Sequence, residues 1–281
     1  MIDKKLTALF IASLLITSAC GQSEPEAPAE PAAEAPAPAE PTPAPEPTPE
    51  PAAAPAEMTL AELLASDARP AADRERDAGR KPADVLTFLG VEPGMDVIDL
   101  IAAGGWYTEV LSVAVGPEGS VTAQNPGWMR AFRDGGVVAG LDERIGARLS
   151  NVTRLDNEWS ELKMMEPQFD VAFSALNFHD AYYMESPEAA AEMATAVLNV
   201  LRPGGVFGII DHAGNADGDN AQLHRINRDL VVEIVTGAGF ELDAESDLLA
   251  NTADGHILGV FAEGMRGQTD RFLLRFHKPD E

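Results

Sequence analysis

The stretch DVIDLIAAGGWYTEVL, Asp96 to Leu111, constrains the fold most strongly, because it joins a strand to a helix through a tight turn. Its first half, Val97 to Ile101, is a short and mostly apolar run, which is typical of a strand buried on both faces of a sheet. Gly104 and Gly105 then provide a turn, and a helical pattern begins at Trp106. A strand buried on both faces needs helices on both sides of its sheet, so this stretch predicts an α/β domain.

The rest of the chain repeats this alternation of strand and helix. Further strands are predicted, in chain order, at GSVTAQ, VTRLD, FDVAFSAL, VFGIID, FELDAES and DRFLLRFHK. Among the intervening helices, SPEAAAEMATAVLNVL carries a clear start signal in Ser186 as the cap and Pro187 as its first residue. The pattern predicts one doubly wound domain over residues 58–281, with a mainly parallel sheet and helices on both faces. Ligands of such sheets bind at the carboxyl ends of the strands.

The first part of the chain has the layout of an export signal. Lys4 and Lys5 precede an apolar run from Leu6 to Ile16, and small residues follow that run. The run of about 11 residues is shorter than the ~20 that a membrane-spanning helix needs. Residues 1–20 are therefore predicted to be a signal peptide.

Cys20 is the only cysteine of the chain and closes this signal. The sequence ITSAC resembles a bacterial lipoprotein signal, which implies that Cys20 is lipidated and becomes the mature N-terminus. The alternative is cleavage by ordinary signal peptidase near Ala19, which would give a soluble periplasmic protein. We expect the protein on the periplasmic face of a bacterial membrane, and on the outer membrane if it is a lipoprotein. A single cysteine also excludes an intramolecular disulfide.

Residues 21–57 alternate proline, alanine and glutamate and contain no aromatic or large aliphatic side chain. Such a segment cannot bury enough apolar surface to offset the entropy of ordering, so it is predicted to be a disordered tether. Proline favours the extended polyproline II conformation, in which the tether would reach roughly 100 Å at about 3.1 Å per residue. The only membrane contact that we expect is therefore the lipid at the start of this tether.

The charge of the chain bears on its partners. The formal net charge is -26 at pH 7, and the glutamates of the tether account for only part of it. A surface of this sign repels phosphate backbones and anionic lipid, which argues against a nucleic-acid substrate. It leaves a small-molecule ligand open.

Four motifs in fixed order carry a resemblance to a known family. They read RKPADVLTFLGVEPGMDVIDLIAAGGWYTEVL, NFHD, LRPGGVFGIIDH and TDRFLLRFHKP. From Leu60 to Lys278 the chain resembles the class I S-adenosylmethionine-dependent methyltransferases, and more narrowly a predicted bacterial methyltransferase group. The resemblance implies a Rossmann-like sheet of seven strands with an antiparallel last strand. It also implies S-adenosylmethionine as cofactor and methyl transfer to a small molecule.

The resemblance assigns the donor loop to the opening stretch. Asp99 matches the acidic residue that approaches the methionine amine, and its alternative role is to cap the following turn. Ala103, Gly104 and Gly105 match the glycine loop, where small residues let the backbone approach the ligand. Ile101 stands where most members of the family have the first glycine.

Three more positions match the nucleoside side of the donor. Gln124 and Asn125 end the second strand, where the family usually has an acidic residue that binds both ribose hydroxyls. An amide forms weaker hydrogen bonds to a hydroxyl than a carboxylate does, because charge assistance is missing. Asp156, after the third strand, matches the adenine-side position, and it can equally be a solvated loop residue.

The residues after the fourth and fifth strands match the positions near the transferred methyl group. Asn177 is expected to orient the donor or the substrate, and His179 to act as a general base together with Asp180. His212 follows the fifth strand and would converge on the same cleft. Two alternatives stay open: a metal site that uses the histidines with Asp180 and Asp211, and histidines held by backbone carbonyls. We predict no metal.

Several other side chains have weaker assignments. His224 and His256 are interpreted as structural residues, and Trp106 and Tyr107 either line the pocket or pack in the core. The two arginines of the last segment are candidates for an anionic substrate group or for surface ion pairs; they are Arg266 and Arg271.

Export itself supports a different class of function. The methyl donor is made in the cytoplasm, whereas the signal and the tether place the domain outside it. The alternative to methyl transfer is therefore a non-catalytic periplasmic or envelope protein that binds a ligand or serves as a scaffold and keeps the fold. A metal-dependent hydrolase that uses the histidines is a third hypothesis.

Overall fold

The computed structural model describes residues 58–280 of the chain. The predicted signal peptide, Cys20 and the tether of residues 21–57 lie outside these described residues. Within residues 58–280, no helix has both the length and the apolar character needed to cross a membrane.

The described residues form a seven-stranded sheet. Its strands are β1 (Asp96–Leu100), β2 (Ser120–Gln124), β3 (Val152–Leu155), β4 (Phe169–Ala175), β5 (Leu201–His212), β6 (Glu241–Ser246) and β7 (Arg271–His277). Their order in the sheet is β3-β2-β1-β4-β5-β7-β6. Strands β1 to β5 are parallel, and β7 is antiparallel to both β5 and β6. The predicted Rossmann-like, doubly wound sheet with an antiparallel last strand is confirmed.

Helices cover both faces of the sheet. They are α1 (Leu60–Ala65), α2 (Ala71–Arg74), α3 (Asp77–Arg80), α4 (Pro82–Leu89), α5 (Trp106–Val115), α6 (Gly127–Ala131), α7 (Gly136–Arg148), α8 (Trp159–Leu162), α9 (Phe178–Asp180), α10 (Pro187–Val200), α11 (Asn220–Leu223) and α12 (Arg228–Gly237). Short 3₁₀ turns cover Phe132–Gly135 and Asp247–Leu249, and a π-helical turn covers Ala181–Glu185. The predicted start of α10 is confirmed, because the Ser186 hydroxyl accepts a hydrogen bond from the Ala189 amide.

The core consists of two hydrophobic clusters, one on each face of the sheet. On β1 the side chains of Ile98 and Leu100 enter one cluster, and that of Val97 enters the other. The first cluster packs under α10 and α12, and the second packs under α4 and α5. The sheet is therefore covered on both sides, as the apolar run of β1 predicts.

The chain reverses its winding direction next to β1. Strand β1 lies between β2 and β4, so the connections before and after this point pass to opposite faces of the sheet. In open sheets of this type, the crevice at the carboxyl ends of the strands beside this switch point holds the ligand. The fold therefore directs attention to the turn that follows Leu100 and to the segment that follows Ala175.

One glycine permits the close packing of α4 on the sheet. A methyl group added at Gly208 of β5 would lie 2.6 Å from Leu89 Cδ1 and 3.1 Å from Phe173 Cδ2. Both neighbours are buried in the same cluster, so they have little room to move. Gly146 of α7 offers a matched comparison, because a methyl group there would meet nothing within 4 Å.

We expect Gly208→Ala to lower the free energy of unfolding by about 1–3 kcal/mol, because it overpacks the core. Gly146→Ala should raise it by up to about 1 kcal/mol, since alanine is the better residue in an exposed helix. Urea unfolding measures both effects, and the m-value should be the same in the two variants and in the original protein. Equal stability of the two variants would contradict this description of the contact between α4 and β5.

Candidate functional site

A cavity of about 990 Å³ opens at the carboxyl ends of β1, β4 and β5. It is bordered by the β1–α5 turn, by the segments that follow β4 and β5, and by residues 260–271. Of the residues predicted as site residues, the cavity wall includes Asp99, Ala103, Gly104, Asn177, His179, Asp180 and His212. The volume lies at the upper end of the range of ~300–1,000 Å³ that is usual for small-molecule sites.

The β1–α5 turn has a left-handed backbone at alternate positions. The φ angles are 52° at Ile101, 51° at Ala103 and 77° at Gly105. This conformation costs a residue with a side chain about 1–2 kcal/mol, and it is least favourable for a β-branched residue such as isoleucine. The turn therefore has a backbone of the kind that favours glycine at two positions, Ile101 and Ala103, that carry a side chain.

The end of β2 stabilises this turn. Gln124 Oε1 accepts a hydrogen bond from the Ile101 amide at 3.2 Å, and Asn125 Oδ1 accepts one from the Ala103 amide at 2.8 Å. Both amide side chains are fully buried and point at the turn. Gln124 also donates to the Asn157 carbonyl at 2.9 Å. Their predicted contact with a ribose stays a prediction, whereas their contact with the turn is a structural fact.

Two further side chains hold the turn from other directions. Asn177 Nδ2 donates to the Ile101 carbonyl at 3.0 Å, and Arg144 Nε donates to the Gly104 carbonyl at 2.9 Å. Arg144 is fixed in turn by ion pairs with Asp73 and Glu109. Polar contacts from three separate segments therefore compensate the strained backbone between Ile101 and Gly105.

Asp99 is the acidic group nearest to this turn in sequence. Its side chain is only 3% exposed, lies on the cavity wall and accepts a hydrogen bond from the Thr108 hydroxyl at 2.6 Å. Burial raises the pKa of Asp99 to about 7, and the Thr108 hydrogen bonds only partly oppose this. A cation placed beside Asp99 would reverse the shift, because it favours the ionised carboxylate.

Asp156 lies on the surface and not on the cavity wall. Its carboxylate forms two hydrogen bonds of 2.8 Å to the guanidinium of Arg154, which also pairs with Asp142. The predicted contact of Asp156 with adenine stays a prediction. The aromatic side chains that do border the cavity on this side are Trp128 and Phe132.

The two predicted catalytic histidines meet in the cavity. His179 and His212 have ring centroids 6.0 Å apart. Burial favours the neutral His179 ring, but the charges of Asp211 and Asp180 outweigh it and raise the pKa of His179 to about 10. Burial lowers the pKa of His212 to about 3, and its Nδ1 lies 2.8 Å from the Thr269 hydroxyl. His212 is therefore neutral at physiological pH.

His224 joins this group, although the sequence pattern marked it as structural. Its ring centroid lies 5.6 Å from that of His179, and its Nδ1 lies 3.6 Å from Asp180 Oδ1. His224 follows a short helix in the long connection after β5, and no periodicity or motif in that connection indicates its position. Its contribution becomes visible only in three dimensions.

Four arginine side chains also border the cavity, and one of them, Arg271, pairs in register with His212 across β5 and β7. They are Arg76, Arg80, Arg266 and Arg271. The Arg80 guanidinium lies 4.4 Å from the centre of the Trp106 ring, and burial followed by repulsion from Arg76 lowers its pKa to about 10. Within residues 58–280, Arg80 and Arg266 have no ion-pair partner, and Arg271 Nε has no hydrogen-bond partner. The wall is therefore positively charged in a strongly acidic protein.

Comparison with known proteins adds the fold but no closer relationship. No protein-family model matches the sequence, and no curated protein matches it. Solved structures with the same fold include an S-adenosylmethionine-dependent methyltransferase from Aquifex aeolicus, with a TM-score of 0.52 and 20% identity over 79% of this chain and 100% of that chain. The arsenic(III) S-adenosylmethionine methyltransferase CrArsM from Chlamydomonas reinhardtii has a TM-score of 0.50 and 16% identity, over 79% and 73% of the two chains.

A third similar structure carries a different chemistry. The [4+2]-cyclase SpnF has a TM-score of 0.53 and 18% identity, over 79% of this chain and 92% of its own. These likenesses place the chain in the class I methyltransferase fold, as the sequence motifs imply. The activity has to be argued from the site, because one fold supports several activities.

We expect the stability of Asp99→Asn to differ from that of the original protein in a pH-dependent way. The unfolded carboxyl has its ordinary pKa of 3.8 and the folded one about 7, so the native protein loses stability as the pH rises from about 4 to about 7. Asparagine carries no proton to lose in this range. The variant should match the original protein near pH 3.5, below the unfolded pKa, and exceed it by up to a few kcal/mol at pH 8.

Urea unfolding of both proteins at several pH values measures this difference. The Asp156→Asn variant is the control, because that carboxylate is on the surface. A stability difference that is the same at pH 3.5 and pH 8 would exclude a raised pKa for Asp99.

Proposed function

We propose that the protein is a methyltransferase that transfers the methyl group of S-adenosylmethionine to a small molecule with an anionic group. The observation that carries this proposal is the β1–α5 turn, which keeps a glycine-loop backbone without glycine at Ile101 and Ala103. A strained turn persists only where the surroundings hold it, and such turns cluster at functional sites. The methyltransferase fold of the similar structures supports the same conclusion.

The residues of the turn fit the amino-acid end of the donor. Ala103 and Gly104 leave the backbone open to the cavity, and Asp99 lies beside them as an acceptor for an ammonium group. An ammonium at this position would convert Asp99 from a carboxyl that is half protonated near pH 7 to a paired carboxylate. Bound there, S-adenosylmethionine supplies an electrophilic methyl group on a sulfonium.

The arginine wall supports an acceptor with a carboxylate or phosphate group. The protein has a net charge of -26, so unpaired arginines in its cavity are contrary to its general charge pattern. Planar guanidinium groups bind carboxylate and phosphate oxygens in pairs, and a partly buried site strengthens these hydrogen bonds. The wall is completed by Trp106, which stacks on Arg80 and restricts its orientation.

Catalysis in this cavity depends mainly on positioning. The arginine wall and the turn border the same cavity, so they can hold the acceptor and the donor close together, which replaces an encounter between two free molecules. His212 is neutral and next to His179, so it can accept a hydrogen bond from a hydroxyl, amine or thiol of the acceptor. We propose that Asn177 positions the donor-binding turn relative to the end of β4, where the acceptor would bind, because its side chain donates a hydrogen bond to the Ile101 carbonyl.

Donor binding is the first test of this function. We expect S-adenosylhomocysteine to bind the purified protein in isothermal titration, and Asp99→Ala to weaken the binding at least about 10-fold through loss of the ammonium contact. Glu92→Ala should bind as the original protein does, since Glu92 is an exposed acidic residue off the cavity wall. Absence of heat at millimolar ligand would exclude the proposed activity.

A non-catalytic ligand-binding protein is the second candidate. It is favoured by Gln124 and Asn125, because their side-chain oxygens accept hydrogen bonds from the turn and neither residue lies on the cavity wall, where a ribose would bind. The [4+2]-cyclase with the same fold is consistent with other uses of such a cavity. Donor binding without methyl transfer to any anionic acceptor would favour this candidate.

The proposed location rests on the sequence of residues 1–57 alone. We propose export, lipidation at Cys20, and a tether that holds the domain away from the outer membrane on its periplasmic side. The lipid would be the sole membrane attachment, consistent with the sequence pattern of the signal.

Cys20→Ser should abolish incorporation of radiolabelled palmitate into the protein in growing bacteria and should release it from the membrane fraction. Ser18→Ala is the control, because it changes the same signal but keeps the only thiol, and it should stay labelled. An original protein that takes up no label would show cleavage by ordinary signal peptidase.

A further inference from the structure

Three potential metal ligands meet at one edge of the cavity. They are His179 Nε2, a carboxylate oxygen of Asp180 and His224 Nδ1, and all three atoms lie within 4.8 Å of one another. Asp180 Oδ1 is 3.2 Å from His179 Nε2 and 3.6 Å from His224 Nδ1. Ligands bound at about 2.0–2.2 Å to one zinc-like ion lie roughly 3–3.6 Å apart, and the two distances from Asp180 fall in this range.

The attraction between His179 and Asp180 explains only part of this convergence, because it does not account for the approach of His224. Asp180 Oδ1 is buried, and within the described residues it has no hydrogen-bond partner although two ring nitrogens lie close by. The distance of 3.2 Å between His179 Nε2 and Asp180 Oδ1 would allow a hydrogen bond, but the angle at the donor is unfavourable, so none forms. A buried carboxylate oxygen without a partner is costly, and an ion between the three groups would satisfy it.

The orientation of His179 is fixed by a second carboxylate. Asp211 is fully buried, and its oxygens accept hydrogen bonds from His179 Nδ1 at 2.7 Å and from the His179 amide at 2.8 Å. This arrangement leaves Nε2 as the ring nitrogen that faces Asp180. Histidines that bind metals commonly have such a carboxylate on the opposite nitrogen.

His224 has an unusual backbone for its role at the rim. Its φ is 53°, in the left-handed region that few residues other than glycine adopt, and it ends α11. The ring contacts His179 edge-on at a centroid distance of 5.6 Å. The left-handed backbone of His224 therefore directs its imidazole from the connection after β5 towards His179 and Asp180, which follow β4.

We infer that His179, Asp180 and His224 form a binding site for a divalent first-row transition metal such as Zn²⁺. Two imidazole nitrogens and one carboxylate suit zinc and its neighbours, whereas Mg²⁺ and Ca²⁺ prefer oxygen ligands throughout. Three protein ligands leave a coordination position open to the cavity, as in metal sites that act on a substrate. A heteroatom of the cavity's ligand would occupy that position. The site does not depend on the proposed methyl transfer.

The test is isothermal titration of the purified full chain, first freed of metal with a chelator, with ZnCl₂. We expect one site of micromolar or tighter affinity. His224→Gln should weaken it at least about 100-fold, because an amide does not replace an imidazole ligand. Asp180→Asn should weaken it similarly. Co²⁺ in place of Zn²⁺ should give visible absorption bands in the original protein that His224→Gln lacks.

His256→Gln is the matched control. His256 is also a loop histidine beside a carboxylate, with Nε2 2.9 Å from Asp270, but it lies outside the cavity wall. It should keep the full affinity, which separates the site from weak binding to the many surface acids. Thermal unfolding gives a second readout, because Zn²⁺ should raise the Tm of the original protein and of His256→Gln but not of His224→Gln.

Two results would overturn the site: no zinc binding stronger than millimolar, or equal affinity in His224→Gln and the original protein. His224 is more than a third exposed at its side chain, so its substitution leaves the core intact even if Asp180→Asn fails to fold. If the original protein bound S-adenosylhomocysteine but not zinc, the metal site would be excluded and the proposed function would still stand.

Discussion

The structure of the site depends on one constraint, the left-handed backbone of the β1–α5 turn. Its unfavourable conformation at Ile101 and Ala103 is compensated by hydrogen bonds to the turn from the ends of β2 and β4 and from α7. These contacts are all made by side chains of the chain itself, so they stabilise the turn without a contribution from a ligand. When a turn is already ordered, a ligand that binds to it loses no binding free energy to ordering the loop.

The isoleucine in the turn thereby acquires a physical explanation. Ile101 is fully buried in the cluster under α10 and α12, so its side chain contributes to the core while its backbone follows the path of a glycine. A fully buried side chain of this size contributes about 1.5–3 kcal/mol, which offsets the ~1–2 kcal/mol of its left-handed backbone. Core packing and loop geometry therefore use the same residue. The sequence shows an isoleucine at this position, but it does not show that burial of the side chain offsets the cost of the backbone conformation.

Most of the fold could be predicted from the sequence, because its signals are local. The apolar run of β1, the cap at Ser186 and the alternation of strands with helices each need only a short window of residues. The bounds of α7 could not be predicted from the sequence, since its three glycines weaken the helical pattern. That matters for the site, because α7 supplies Arg144 to the turn.

Site residues could be predicted from the sequence where they directly follow a strand, but not where they lie elsewhere in the chain. His179 and His212 converge because parallel strands bring their carboxyl ends together, which topology alone implies. His224 and Arg80 lie on connections whose course is set by tertiary contacts, so no spacing in the sequence relates them to the cavity. Two chemically distinct groups of side chains result, a cationic one beside Trp106 and one of histidines and carboxylates, and they adjoin where Arg271 of β7 pairs with His212 of β5. An anionic group held by the arginines would therefore lie next to the histidines, and this charge pattern favours a single orientation of the ligand.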